Sequence, residues 1–304
     1  MTAPPSLVTT APEAPAWRGR TVPILLAALA LLAIVSAIEP YPVGVFQDDG
    51  IYAVLAKSLA TRQGYRFVQM PDAPNATHYP PLYPAFLALL WKLFPSFPDN
   101  VTLFKFANAG LTAAAAALAY RFARERVRME ALPAALAVGA FTVCGPIVLL
   151  SVMVLSEPMF LAALFPGLFA CERAAGSGHP RDAIVAGAAG AALALVRTLG
   201  GVTLPATALV LAWRRRWLAA GLVVASGALV LLPWQLWVGA HAAEIPPVFL
   251  GKYGSYGGWL SGAVEAEGLG WVARLVVFNL AQVVAQGWAT LAVDPLPEAV
   301  RWAA

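Results

Sequence analysis

The chain has 304 residues, of which 60% are apolar and only 12% charged, and its mean hydropathy is +0.71. That balance lies far outside the range of a soluble domain of this length and implies a polytopic membrane protein. The net charge of +4 does not point to nucleic acid, because the basic residues stand in short clusters between apolar runs, the pattern that sets membrane topology.

Residues 1–16 are rich in Pro, Ala and Thr and lack periodicity. The expected organisation is a disordered cytoplasmic tail over 1–17 and a single membrane domain over 18–304. A first span is predicted over 21–38, close to the roughly 20 residues that a bilayer core requires. A cleaved signal peptide ending near Val35-Ser36-Ala37 is the rival, disfavoured by the length of the run. Further spans are predicted over 104–120, 131–150, 153–170, 183–196, 199–213, 217–238 and 271–292, about eight in all. The basic groups Arg18 and Arg20, Arg121 to Arg128, Arg173 and Arg181, and Arg214 to Arg216 are then cytoplasmic.

LYPAFLALLWKLF, residues 82–94, is apolar but too short to cross comfortably. As a span it would turn the cluster at 121–128 outward, so it is placed along the outer interface. Residues 39–103 then form one long outer loop, joined on the same face by turns near 151–157 and 197–201 and by the loop 239–270. Asp48, Asp49, His78, Glu157, Arg197, His241 and Lys252 all gather on that face, although orientation was argued from other residues. Cys144 and Cys171 fall near opposite ends of their spans, too far apart for a disulfide. No metal-ligand spacing and no Gly-rich phosphate loop is present.

FQDDGIYAVLAKSLA, residues 46–60, reads as a helix starting at Asp48 or Asp49. Ile51, Val54, Leu55 and Leu59 share one face, so the helix is expected to lie on the membrane. An acid there either caps the helix or serves as a general base at the water-lipid boundary. Successive side chains project about 100° apart, so only one of the two acids is expected to face a reacting centre. HYPPLYP, residues 78–84, presents His78 and Tyr79 or merely starts the next helix. Arg197 in ALVRTLGG either snorkels or faces a lipid phosphate. Glu157 in LSEPMF doubles as a helix-start residue. The loop GKYGSYGGWL, 251–260, offers Lys252, Tyr253, Tyr256 and Trp259 as a mobile aromatic flap over a sugar or as an interfacial anchor. Two matches to the glycosylation sequon, at Asn75 and Asn100, carry no weight, since so short a pattern arises by chance.

The set D-D-x-x-Y, Y-P-P-L-Y-P, L-S-E-P and L-V-R-T-L-G-G resembles the GT-C glycosyltransferases. It is most similar to the branch holding bacterial aminoarabinose transferases of lipid A and protein O-mannosyltransferases, from the first span to about residue 240. The resemblance implies an all-helical GT-C-like bundle with juxtamembrane helices in the first outer loop. It implies an inverting transfer from a polyprenyl-phosphate sugar at the extracytoplasmic face of the plasma membrane. In that family the first acid of the outer-loop pair is catalytic, which corresponds to Asp48; Asp49 and Tyr52 match the second acid and a frequent tyrosine. Where aminoarabinose transferases carry Glu-Lys before the two prolines, this chain has His78-Tyr79. Arg197, His78 and Lys252 are left as donor-phosphate candidates, with Tyr52, Tyr79, Glu157 and Tyr253 as substrate contacts. Relatives generally continue with more helices, which raises the question of truncation at Ala304.

The expectation is an inverting membrane glycosyltransferase with Asp48 as general base and a lipid, glycan or protein as acceptor. The chemistry requires no cofactor, and a role for a divalent metal is not legible in the sequence. The rivals are a lipid or sugar transporter or flippase, for which internal repeats would speak and none is found, and a non-catalytic assembly subunit.

Overall fold

The structure, a computed structural model, describes residues 18–291, with side chains over 21–285. The tail expected over 1–17 and the residues beyond 291 lie outside it. Among the described residues every regular element is helical, apart from one isolated antiparallel bridge between Arg66 and Asn75.

Helix α1 spans Arg18–Val35. After a loop come α2 (Asp48–Ala60) and α3 (Leu82–Leu93), the second entered through Pro80-Pro81. The long α4 (Asn100–Glu125) carries an alanine run at 113–117 that favours the helix. Helix α5 (Ala131–Val143) breaks at Cys144, before Gly145-Pro146, and α6 (Gly145–Val152) departs at 52°, because proline cannot continue the preceding turn. Helix α7 (Glu157–Ser177) ends at Gly178, whose φ of 63° gives the left-handed cap that glycine accepts freely. Helix α8 (Pro180–Val196) leads through a 3-10 turn (Thr198–Val202) into α9 (Thr203–Trp213), and α10 (Trp217–His241) follows. The chain closes with α11 (Leu250–Tyr253), α12 (Tyr256–Glu267) and α13 (Leu269–Leu291).

Among the described residues three helices are long and apolar enough to cross a membrane: α4, α7 and α10 with its 3-10 extension to Glu244. Counting each bent pair, α5–α6 and α12–α13, as one span raises the number to five. Eight were expected. The difference is one of length, since α9, for example, rises only about 17 Å against a core of about 30 Å. Residues 251–260, expected as either a flap or an interfacial anchor, are mostly helical. They break only at Gly254-Ser255, where the Ser255 hydroxyl accepts the Gly258 N–H at 3.1 Å and starts α12.

Helix α2 also differs from its expectation. It buries Asp49, Ile51, Tyr52, Ala53, Leu55, Ala56 and Ser58, which is more than one apolar stripe, so it is a core element and not a helix resting on a surface. It packs on α3, and both contribute to a core that includes Phe67, Tyr83, Leu87, Phe104 and Val154. The α1–α4–α5 seam and the α7–α10 group form two separate cores. Between α8 and α10 the backbones come very close: a Cβ at Gly187 would meet the Ser226 hydroxyl at 2.0 Å and the Val223 carbonyl at 2.4 Å. Small residues at such a crossing are how apolar helices gain van der Waals contact without a hydrophobic driving force.

Candidate active site

The two acids at the start of α2 have different jobs. Gly44 (φ 90°) and Gln47 (φ 61°) curl the preceding loop back over the helix N-terminus. Asp49, fully buried, accepts four backbone N–H groups there: Gly44 at 2.8 Å, Val45 at 3.2 Å, Phe46 at 3.1 Å and Gly50 at 2.9 Å. Its carboxylate is thus the organiser of the turn, and the helix dipole adds to its stability as an anion. Position 50 has little room for a side chain, because a Cβ there would lie 3.0 Å from the Gly44 Cα and the loop would have to shift. Asp48 is half-buried and points elsewhere, with Oδ1 accepting the Tyr79 hydroxyl at 2.7 Å. Its Oδ2 has no side-chain or backbone partner among the described residues.

Tyr79 is delivered by the YPP loop. The Tyr65 hydroxyl donates to the Tyr79 carbonyl at 2.9 Å. Upstream the loop is pinned to the end of α10: Glu244 accepts the Asn75 backbone N–H at 3.0 Å and its side-chain amide at 2.9 Å, and the Trp237 indole donates to the Ala76 carbonyl at 3.0 Å. The Tyr79 ring packs edge-on against Tyr52 at 5.3 Å and Phe67 at 6.3 Å. Burial, then the hydrogen bond to the Asp48 carboxylate, pushes the Tyr79 hydroxyl well above its ordinary range, so it stays a donor.

From Tyr52 the contacts continue into a second charged group. Its hydroxyl lies 3.0 Å from Ser156 Oγ, which also accepts from Arg197 Nη1 at 3.0 Å. The same guanidinium nitrogen is 2.6 Å from Glu157 Oε1. Burial raises the Tyr52 hydroxyl to about 12, opposed by the hydrogen bond to Ser156 and the positive charge of Arg197. Arg197 stands at the C-terminus of α8 in extended backbone, and Ser156 and Glu157 open α7. The turn before α7 is held by Asn108 on α4, whose amide donates to the carbonyls of Met153 (2.8 Å) and Leu155 (3.1 Å). Glu157 Oε2 is buried and lacks a hydrogen-bond partner among the described residues.

Asp48, Tyr79, Tyr52, Glu157 and Arg197 therefore meet. His78 sits at the edge of this group: its Nδ1 is 2.7 Å from the Gly254 carbonyl and its ring lies 4.2 Å from that of Tyr256. Tyr253 packs on Phe67 at 5.1 Å behind Tyr79. Lys252 is exposed, with its ammonium over the Tyr253 ring at 5.7 Å and no contact to Arg197. His241, placed on the same face by the sequence, stacks on Trp237 at 4.0 Å and serves the Glu244 anchor. Of the two sequon asparagines, Asn75 is held by Glu244, whereas Asn100 is fully buried with neither side-chain polar atom hydrogen-bonded among the described residues.

Ser156, Asn108 and Lys105 were missed by sequence reasoning. Ser156 was visible only as a cap. Asn108 and Lys105, whose Nζ donates to the Glu39 carbonyl at 2.6 Å, are polar residues inside an apolar run, a signal that usually marks an interior contact. Comparison with family models, with curated proteins and with solved structures finds no match to this chain.

Proposed function

We propose that the protein is an inverting membrane glycosyltransferase with Asp48 as its general base. The observation that carries the reading is the division of labour at the start of α2. Asp49 is saturated by backbone amides, whereas Asp48 keeps one oxygen free beside a group that continues through Tyr79 and Tyr52 to Arg197. In the reaction, Asp48 takes the proton of an acceptor hydroxyl or amine as the acceptor heteroatom bonds to the anomeric carbon. The bond from that carbon to the polyprenyl phosphate breaks, and its electron pair leaves on the phosphate oxygen. Arg197 meets the charge that develops there, exchanging its contact with Glu157 for the phosphate.

Tyr79 orients Asp48, and Tyr52 with Ser156 orients Arg197. Glu157 keeps the guanidinium neutralised until donor arrives. His78 and Tyr253 line the approach, and Lys252 reaches a phosphate only if its side chain swings from Tyr253. The reading further takes the site as extracytoplasmic, with α8 and α9 completing a GT-C-like set of about eight crossings. Transfer of a sugar from a polyprenyl-phosphate donor by the purified protein is the test. Asp48→Asn is expected to lower the rate by about 10²–10⁴-fold; an undiminished rate removes Asp48 from the mechanism.

A further inference from the structure

A cavity lies far from Asp48, where the distal ends of α4, α7 and the beginning of α8 meet. From Glu157 to Arg173 is sixteen residues along α7, about 24 Å at 1.5 Å per residue. The cleft has a volume of about 430 Å³. Its lining is graded along the helix axes. On each helix the apolar liner stands about a turn nearer the middle of the bundle than the charged one: Leu118 before Arg121, Phe169 before Arg173, and Val185 after Asp182.

The mouth is rich in unused guanidinium donors. Arg121 Nε meets Glu125 at 3.2 Å and Arg126 Nε meets Glu172 at 3.1 Å, both pairs about half-exposed. Ion pairs of that kind contribute little and exchange readily. Arg126 also lies over the Phe169 ring, 5.1 Å from its centre. Asp182 is engaged by the Ser177 hydroxyl at 2.6 Å. Arg173 is exposed and has no side-chain partner among the described residues. Each guanidinium carries five N–H donors in a planar fork, so these three keep most of theirs for an incoming anion.

We propose that this cleft binds the phosphate headgroup of an anionic membrane lipid, with Arg173 as its principal contact and the partly exposed apolar liners Leu118, Phe169 and Val185 flanking the start of the acyl chains. A phosphate matches the fork geometry of arginine, and the axial grading from cationic liners to apolar ones open on one side fits an amphipathic ligand better than a free ion. The inference does not depend on the transferase reading, because no residue of the cleft belongs to the Asp48 group.

The full chain, purified in detergent, would be titrated with phosphatidylglycerol, phosphatidylcholine or inorganic phosphate, and retained adducts read by native mass spectrometry. Phosphatidylglycerol is expected to be retained, and Arg173→Ala to weaken its retention by about tenfold. Arg128→Ala, a neighbouring cation outside the cleft lining, is expected to leave retention unchanged. Equal retention of phosphatidylcholine, an equal loss in Arg128→Ala, or no loss in Arg173→Ala overturns the proposal. Arg173-dependent binding of inorganic phosphate without retention of the lipid overturns the lipid assignment. If the alanine variant aggregates on size exclusion, Arg173→Gln carries the same comparison.

Discussion

Asp48 and Asp49 are adjacent and chemically identical, yet their environments assign them opposite sensitivities. Asp49→Asn removes a charge that four N–H groups were built around, at about 1.5–3 kcal/mol for each charge-assisted bond lost, so thermal unfolding is expected well below that of the unmodified protein. Asp48→Asn, which keeps an oxygen able to accept from Tyr79 and loses only the charge, is expected to unfold at nearly the original temperature while losing transfer activity. A reversal of that order in melting curves would mean the two roles are exchanged. The Arg197–Glu157 pair permits a similar separation. Arg197→Ala leaves Glu157, already lacking a partner for one oxygen, without its cation, at about 1–3 kcal/mol given its partial exposure. Adding Glu157→Ala is expected to restore most of the stability and none of the transfer rate.

Tyr52 supplies a pH-dependent contrast. Its hydroxyl titrates near 10 in an unfolded chain and near 12 in the fold, so the native state holds the proton more tightly. Stability from this group is fully present below pH 10 and is lost as pH rises towards 12. Tyr52→Phe is expected to flatten that part of the alkaline unfolding curve, followed by tyrosinate absorbance and helicity together.

At the scale of elements, the sequence announced α2, a start at Asp48 or Asp49 and different directions for the two acids, because helix starts and the 100° step are local rules. It misjudged the helix's surroundings. Ile51 and Leu55 are buried as periodicity required, but Ser58 and Asp49 are buried as well, and no pattern of apolar residues reports a polar side chain satisfied by the backbone of an adjoining loop. Ser58, for instance, is buried because its hydroxyl donates to the Gly64 carbonyl at 2.8 Å. The α8–α10 crossing was equally silent in the sequence, since glycines in an apolar run look alike whether they face lipid or a neighbouring helix. Gly187→Ala is expected to force the two helices apart and to cost about 1–3 kcal/mol, measured by thermal unfolding. The same substitution at Gly221, where an added Cβ meets nothing within 4 Å, is expected to be neutral or mildly stabilising.

For the whole molecule, composition pointed to apolar helices, and among the described residues every regular element is a helix, with three to five segments of crossing length. The larger number expected came from counting apolar runs such as 199–213 without weighing their rise against the bilayer. The grouping of Asp48, Tyr79, Glu157 and Arg197 followed from assigning loops to one face, which needs only alternation of sides. Ser156 and Asn108, which connect that grouping, act through tertiary contacts 104 and 45 residues distant in sequence and left no local trace. The side assignment is itself testable: single cysteines replacing the exposed Lys57 and Arg128 are expected to react with impermeant thiol reagents from opposite sides of the membrane. Labelling of both from one side would remove the topology on which the transferase reading stands.

The tether between Asn75 and Glu244 bears on the order in which the molecule is made. The two residues are 169 positions apart, so when Asn75 leaves the ribosome its carboxylate partner has yet to be synthesised. The segment that delivers Tyr79 to Asp48 must wait, loosely arranged, until α10 has been translated and its end has come round to meet it. Nascent chains arrested before Glu244 should be cleaved by protease within residues 65–79, and chains arrested well after it should be protected there.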